Sequence, residues 1–170
     1  MIQLPYRGAK PKIDPAAFVA QGAVIVGDVE IGPQSSIWFG CVLRGDVNVI
    51  RVGARTNIQD GTVVHVASKG QGTYIGNDVT VGHMALLHAC TLEDNSFVGM
   101  KAVVMDGAKV ESHAMLAAGA LLPPGKIVPK GQLWAGNPAK FWRELTAEDL
   151  ANFDLRTEQY VELAQIYLQP

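Results

Sequence analysis

VAQGAVIVGDVEIGPQSSIWFGCVL, residues 19–43, carries an aliphatic residue at every sixth position: Val19, Ile25, Ile31, Ile37 and Leu43. The period reaches back to Ile13 and on to Val49, slips by three to Val52, Ile58 and Val64, and resumes at Ile75, Val81 and Leu87. A second slip leads to Leu92, Val98, Val104, Val110, Leu116 and Leu122. Glycine often follows the aliphatic residue, as in Ile31-Gly32, Val52-Gly53, Ile75-Gly76, Val81-Gly82 and Val98-Gly99. Six residues are too few for a helical repeat. They match the hexapeptide pattern of a parallel β-helix, in which one aliphatic side chain per short strand points into a three-sided prism. Three hexads close one coil of about 18 residues, and coils stacked about 4.8 Å apart pair their backbones over a continuous aliphatic core. An antiparallel sandwich would show period-two alternation and regularly spaced hairpin dipeptides, and the sequence has neither.

The hexad register ends after Leu122-Pro123-Pro124-Gly125, with Val128 and Trp134 still in phase, and Gly136-Asn137-Pro138-Ala139 reads as a turn. Thr146-Ala147-Glu148-Asp149 is a helix start, with an N-cap threonine and acids in the first turn. Leu150, Phe153, Tyr160, Ala164 and Tyr167 then recur at helical intervals. The expected organisation is a single domain over 1–170: a β-helix over about 12–135 and an amphipathic α-helix over about 146–168 laid on the prism. Between Val66 and Gly72 the aliphatic signal fails, which predicts a polar loop beside His65.

A chain of 170 residues with 48% hydrophobic and 18% charged residues is long enough for one real core. A formal charge of −2 gives no basic field for nucleic acid, and no lysine or arginine run suits a membrane surface, so small molecules are the expected partners. The N-terminus lacks a signal-peptide apolar core and no apolar run is long enough to span a bilayer, which predicts a cytoplasmic protein. Cys41 and Cys90 form no disulfide framework or CxxC pair and read as packed, reduced thiols.

Three of the four histidines, His65, His83 and His88, fall within one stretch, HVASKGQGTYIGNDVTVGHMALLH. Neutral imidazole is a zinc ligand, and three histidines with an open position make a catalytic site. Residues directly after the inward aliphatic ones face outward. That position holds His65 after Val64, His88 after Leu87, Arg44 after Leu43 and Gln59 after Ile58. The His65–His83 gap is one coil length, which predicts that these two stack on adjacent coils with His88 further round the prism. Five extended residues reach about 16 Å, so the expected site lies between subunits of a trimer, with His65 and His88 from one chain and His83 from its neighbour. His113 has no partner and reads as surface. Upstream, Gln59 or Asp60 is positioned to hold a metal-bound water or to orient a histidine through its second nitrogen. Arg44 and Asp46 are candidates for a salt bridge locking two subunits.

LRGDVN at 43–48, NIQDGTVVH at 57–65, GHMALLH at 82–88 and FVGMKAVV at 97–104 resemble the γ-class carbonic anhydrase family, of the shorter bacterial type. The resemblance covers nearly the whole chain. It implies a left-handed parallel β-helix homotrimer with a C-terminal helix, and reversible hydration of CO2 to bicarbonate by a metal-bound hydroxide at a subunit interface. It makes His65, His83 and His88 the ligands of Zn2+, with Fe2+ or Co2+ as other divalent ions. Arg44 and Asp46 match the family's interface and site pair, and Asn57, Gln59 and Asp60 its residues around the metal-bound water. Val47 and Ser68 stand where fully active members carry glutamates, one of them a proton shuttle. Tyr160 or Tyr167 on the terminal helix is a candidate to bring a hydroxyl to the site. Two other functions share the prism: a CoA-thioester hydrolase or hexapeptide acyltransferase, whose GNPAK-like ending is matched at Gly136 to Lys140, and a non-catalytic metal-binding trimer.

Overall fold

The structure, a computed structural model, describes residues 1–169. Its body is a parallel β-solenoid whose short strands stack into three faces. The first face stacks Ile2–Leu4, the opening halves of Val24–Ile31 and Val42–Val52, then Val63–His65, Leu86–His88, Val103–Val104 and Leu121–Leu122. The second stacks Lys12–Ile13, the closing halves of the same two long strands, Thr73–Ile75, Thr91–Leu92, Lys109–Val110 and Ile127–Val128. The third runs from Phe18–Val19 through Ser36–Ile37, Asn57–Ile58, Thr80–Val81, Phe97–Val98 and Met115–Leu116 to Gln132–Ala135. Lys140–Glu144 closes that face as an antiparallel strand.

The hexad residues fill the prism as the period requires: Leu43, Ile58, Val64, Val81, Leu87, Val104, Leu116 and Leu122 are each 0% exposed. Val49 departs from the pattern. It is half-buried, and Ile50 takes the inward place at 0% exposure. The physical reason is the corner within Val42–Val52, where the pairing with Val24–Ile31 shifts register between Gly27 and Val29. The strands approach closely there: a Cβ on Gly45 would lie 2.6 Å from the Asp28 carbonyl oxygen. Glycine is therefore required between Arg44 and Asp46.

Each face has a different exterior. The second carries charge: Lys12, Glu30, Arg51 and Lys109 project from it, with Lys12 on Glu30 at 2.8 Å and Arg51 on Asp28 at 2.8 Å. The third is covered by the helix α1 (Ala147–Leu168). Thr146 caps α1 in a reciprocal capping box with Asp149. Phe153, Thr157, Val161 and Ala164 are its buried side, and Phe153 stacks on Phe97 at 5.0 Å. Arg55 fastens the helix to the prism by holding Asp78 at 2.8 Å and Glu158 at 2.6 Å. The first face is bare and aliphatic. Ile2, Val24, Val42, Val63, Leu86, Val103 and Leu121 lie side by side in register up its outside. Ile2 is 50% exposed, and Val63 and Leu86 are 38% each.

Cys41 and Cys90 are free and buried, and burial pushes their thiols up to about 11 and about 12. Among the described residues no helix is long and apolar enough to cross a membrane.

Candidate metal centre

His65 and His88 end neighbouring strands of the first face and are direct register partners. This corrects the expectation that His65 stacks on His83. The polar segment from Val66 to Gly72 bulges out as a loop and lengthens that coil, so the residue above His65 comes 23 positions later. The loop is pinned: Asn48 Nδ2 donates to the Ala67 and Gly70 carbonyls at 3.1 and 3.2 Å, and Thr73 Oγ1 to the His65 carbonyl at 2.6 Å. His83 stands at the opposite edge of the same face, in the turn between Thr80–Val81 and Leu86–His88. His83 and His88 each precede a corner residue with left-handed backbone, Met84 (φ 59°) and Ala89 (φ 46°).

Every one of these histidines is held by its own aspartate. Asp46 Oδ1 lies 3.1 Å from His65 Nε2, Asp106 Oδ1 2.6 Å from His88 Nδ1, and Asp60 Oδ2 2.8 Å from His83 Nδ1. A carboxylate only accepts, so each contact fixes a proton on that nitrogen and leaves the other nitrogen of a neutral ring with a bare lone pair. Two of those lone pairs then face each other: His65 Nδ1 and His88 Nε2 are 3.2 Å apart. Two acceptors in that position repel unless a proton or a metal cation lies between them. Their separation fits a metal, because tetrahedral ligands about 2.0–2.1 Å from zinc lie roughly 3.4 Å from one another. Carboxylate-held imidazoles are also the usual form of metal-binding histidine. Among the described residues no group of three His, Cys, Asp or Glu side chains closes on one point. One chain thus offers a pair of donors at one edge of its bare face and a third at the other.

The remaining candidates divide between these two edges. Within one chain Arg44 Nη1 pairs with Asp46 Oδ2. Burial works against the Asp46 carboxylate, but hydrogen bonds from Arg44 and His65 outweigh it and hold its pKa below the ordinary value. Asp60 orients His83, the second of the two roles open to it. Gln59 and Asn57 face outward from the prism but are buried on the third face, the face α1 covers, at 5% and 1% exposure. Gln59 Nε2 donates to Asn57 Oδ1 at 2.9 Å, and Asn57 Nδ2 to Thr80 Oγ1 at 2.9 Å. That chain fixes the Gln59 amide, which lines a cavity together with His83 and Tyr160. Tyr160 therefore reaches the His83 edge. Tyr167 packs instead among Phe18, Trp38 and Phe39, at 5.4, 5.5 and 5.9 Å. Burial, and after it the charge of Asp60, raise the Tyr160 pKa, so its hydroxyl stays protonated. Val47 is 43% exposed and brings no acid to the site.

Asp106 escaped the sequence reading, although a signal was present: it follows His88 by 18 residues, about one coil. Asp106→Ala is expected to weaken metal binding between roughly 10- and 100-fold without changing the melting temperature, read by competition with a chromophoric chelator.

No family model matches the chain. A protein of Arabidopsis thaliana named gamma carbonic anhydrase 2, mitochondrial, is 53% identical in an alignment 162 residues long that covers 92% of this chain and 58% of that protein. The chain thus spans less than two thirds of the plant relative's length. A Geobacillus kaustophilus protein named carbonic anhydrase is 42% identical over 163 residues, 96% of this chain and 89% of that one. In three dimensions, a hexapeptide transferase family protein from Anaplasma phagocytophilum superposes with a TM-score of 0.94 at 52% identity, covering 98% of each chain. The chain belongs to the γ-class carbonic anhydrase family.

Proposed function

We propose that this protein is a metal-dependent carbonic anhydrase, hydrating CO2 reversibly to bicarbonate at sites shared between the subunits of a homotrimer. The observation that carries the reading is the set of three histidines, each fixed by an aspartate with its second nitrogen bare, divided between two edges of one uncovered aliphatic face. An apolar ladder of that length on an otherwise charged or helix-covered prism marks an association surface. Joining one edge of a face to the other edge of a neighbour's is a head-to-tail contact, which closes into a ring when the rotation suits. His65 and His88 of one subunit and His83 of the next then hold zinc, or Fe2+ or Co2+.

Bound there, the cation supplies a Lewis acid that brings the pKa of water down to about 7. The protein's own groups do the rest. Asp46, Asp60 and Asp106 fix the tautomer of each imidazole and aim its free nitrogen. Arg44 balances the charge of Asp46. The fixed Gln59 amide and the protonated Tyr160 hydroxyl, on the cavity beside His83, offer an acceptor and a donor to orient water and CO2. No carboxylate at Val47 or Ser68 carries the released proton away, so that proton passes to buffer.

Stopped-flow CO2 hydration by anaerobically purified protein tests the reading. Activity above the buffer rate is expected, lost on chelation, restored by metal, and rising with imidazole buffer concentration. A metal-loaded assembly inert toward CO2 would overturn it. The acyltransferase and thioesterase readings rest on the shared prism and the GNPAK-like ending at Gly136 to Lys140, and three aspartate-held histidines exceed what a single catalytic histidine needs.

A further inference from the structure

A cavity of about 330 Å3 opens beside His83, between the third face and α1. One water takes about 30 Å3 of liquid, so the cavity has room for on the order of ten, far more than CO2 requires. Its lining is two-sided. Phe97, Met100 and Met115 form an apolar wall, while Gln59, Tyr160 and the exposed Arg156 supply polar groups.

Arg156 is set apart from the arginines that serve the fold. Arg44, Arg51, Arg55 and Arg143 each hold a carboxylate; Arg156 holds none among the described residues. The helix gives it none either, since one turn away stand Asn152, Phe153, Gln159 and Tyr160. Asp60, the carboxylate whose charge acts on Tyr160, is engaged by His83 at 2.8 Å. A guanidinium with free donors suits a carboxylate head, and the methionine and phenylalanine wall suits a hydrocarbon body. Pockets that combine an apolar lining with a few placed polar groups are the common form of small-molecule site.

We propose that this cavity binds an amphiphilic organic monocarboxylate, its head on Arg156 and its apolar body against Phe97, Met100 and Met115. Neither CO2 nor bicarbonate has such a body, so the ligand is distinct from those of the proposed reaction. The site shares His83's edge with the metal centre but does not depend on a metal.

Octanoate is the probe, titrated into the full-length protein as purified and again after chelation. Calorimetry and tryptophan fluorescence read binding, the latter because the Trp38 ring lies 5.4 Å from that of Tyr160. Saturable binding is expected in both samples, with octanol and bicarbonate weaker by at least about tenfold. Arg156→Gln, on the exposed side of α1, should weaken octanoate by at least about tenfold, and Arg156→Lys should restore much of the loss. Ala118→Leu, which narrows the cavity, should weaken octanoate and octanol together. Octanoate that fails to saturate at millimolar concentration, binds no better than octanol, or ignores Arg156→Gln would overturn the proposal. The chelated sample separates this result from the metal reading: octanoate binding without metal is expected whether or not the protein hydrates CO2.

Discussion

Replacing His88 with alanine is expected to empty the metal centre and to reduce CO2 hydration to the buffer rate, while the protein still folds. The effect is large because the His65 and His88 nitrogens, 3.2 Å apart, act as a pair, and neither holds a cation well alone. Folding survives because the histidine side chain lies outside the prism, 30% exposed, while its neighbour Leu87 remains packed in the core at 0%. Metal analysis of the purified variant should fall from about one ion per subunit to near none, with the melting temperature within a few degrees of the parent's apo form. A variant that keeps its metal would remove His88 from the ligand set.

Val63→Lys should do as much damage without touching any ligand. Val63 stands in the aliphatic ladder between Val42 and Leu86 and points away from the core. A lysine there is solvated in a lone chain but would be buried without a partner in the assembly, a penalty of several kcal/mol at each copy. Sedimentation should show monomers for the variant and trimers for the parent, and the metal should leave with the assembly if, as proposed, each site draws on two chains. A monomeric variant that holds metal at the parent's affinity would contradict the shared site, and an intact trimer would contradict the use of this face.

The six-residue period made most of the prism legible, because one inward aliphatic residue per strand is a strict demand of stacking: Ile58, Val81 and Leu116 are as buried as that demand implies. It misplaced Val49 because a corner and a register shift interrupt the pattern within Val42–Val52. The histidines were legible as a set, but not in their pairing. Counting whole coils stacked His65 on His83, since a loop that bulges outward adds residues without adding a coil, and nothing in Val66 to Gly72 states how many are extra. The aspartates were legible where they stand near a motif, as Asp46 and Asp60 do. Asp106 lies alone in a turn and gains meaning only once His88 is known to sit one coil below it. Burial of Gln59 and Asn57 depended on which face α1 covers, a tertiary fact that the helix sequence does not carry.

The claim that the site is shared between chains is open to one direct measurement. A His83→Ala subunit keeps the paired histidines, and a His88→Ala subunit keeps the third ligand. Each alone should assemble without metal. When the two are unfolded together in equal amounts and refolded, every mixed ring contains one junction with all three histidines, so about a quarter of the parent's metal and CO2 hydration should return. If the mixture stays as empty as its parts although mixed trimers form, the ligands come from a single chain and the shared centre is wrong.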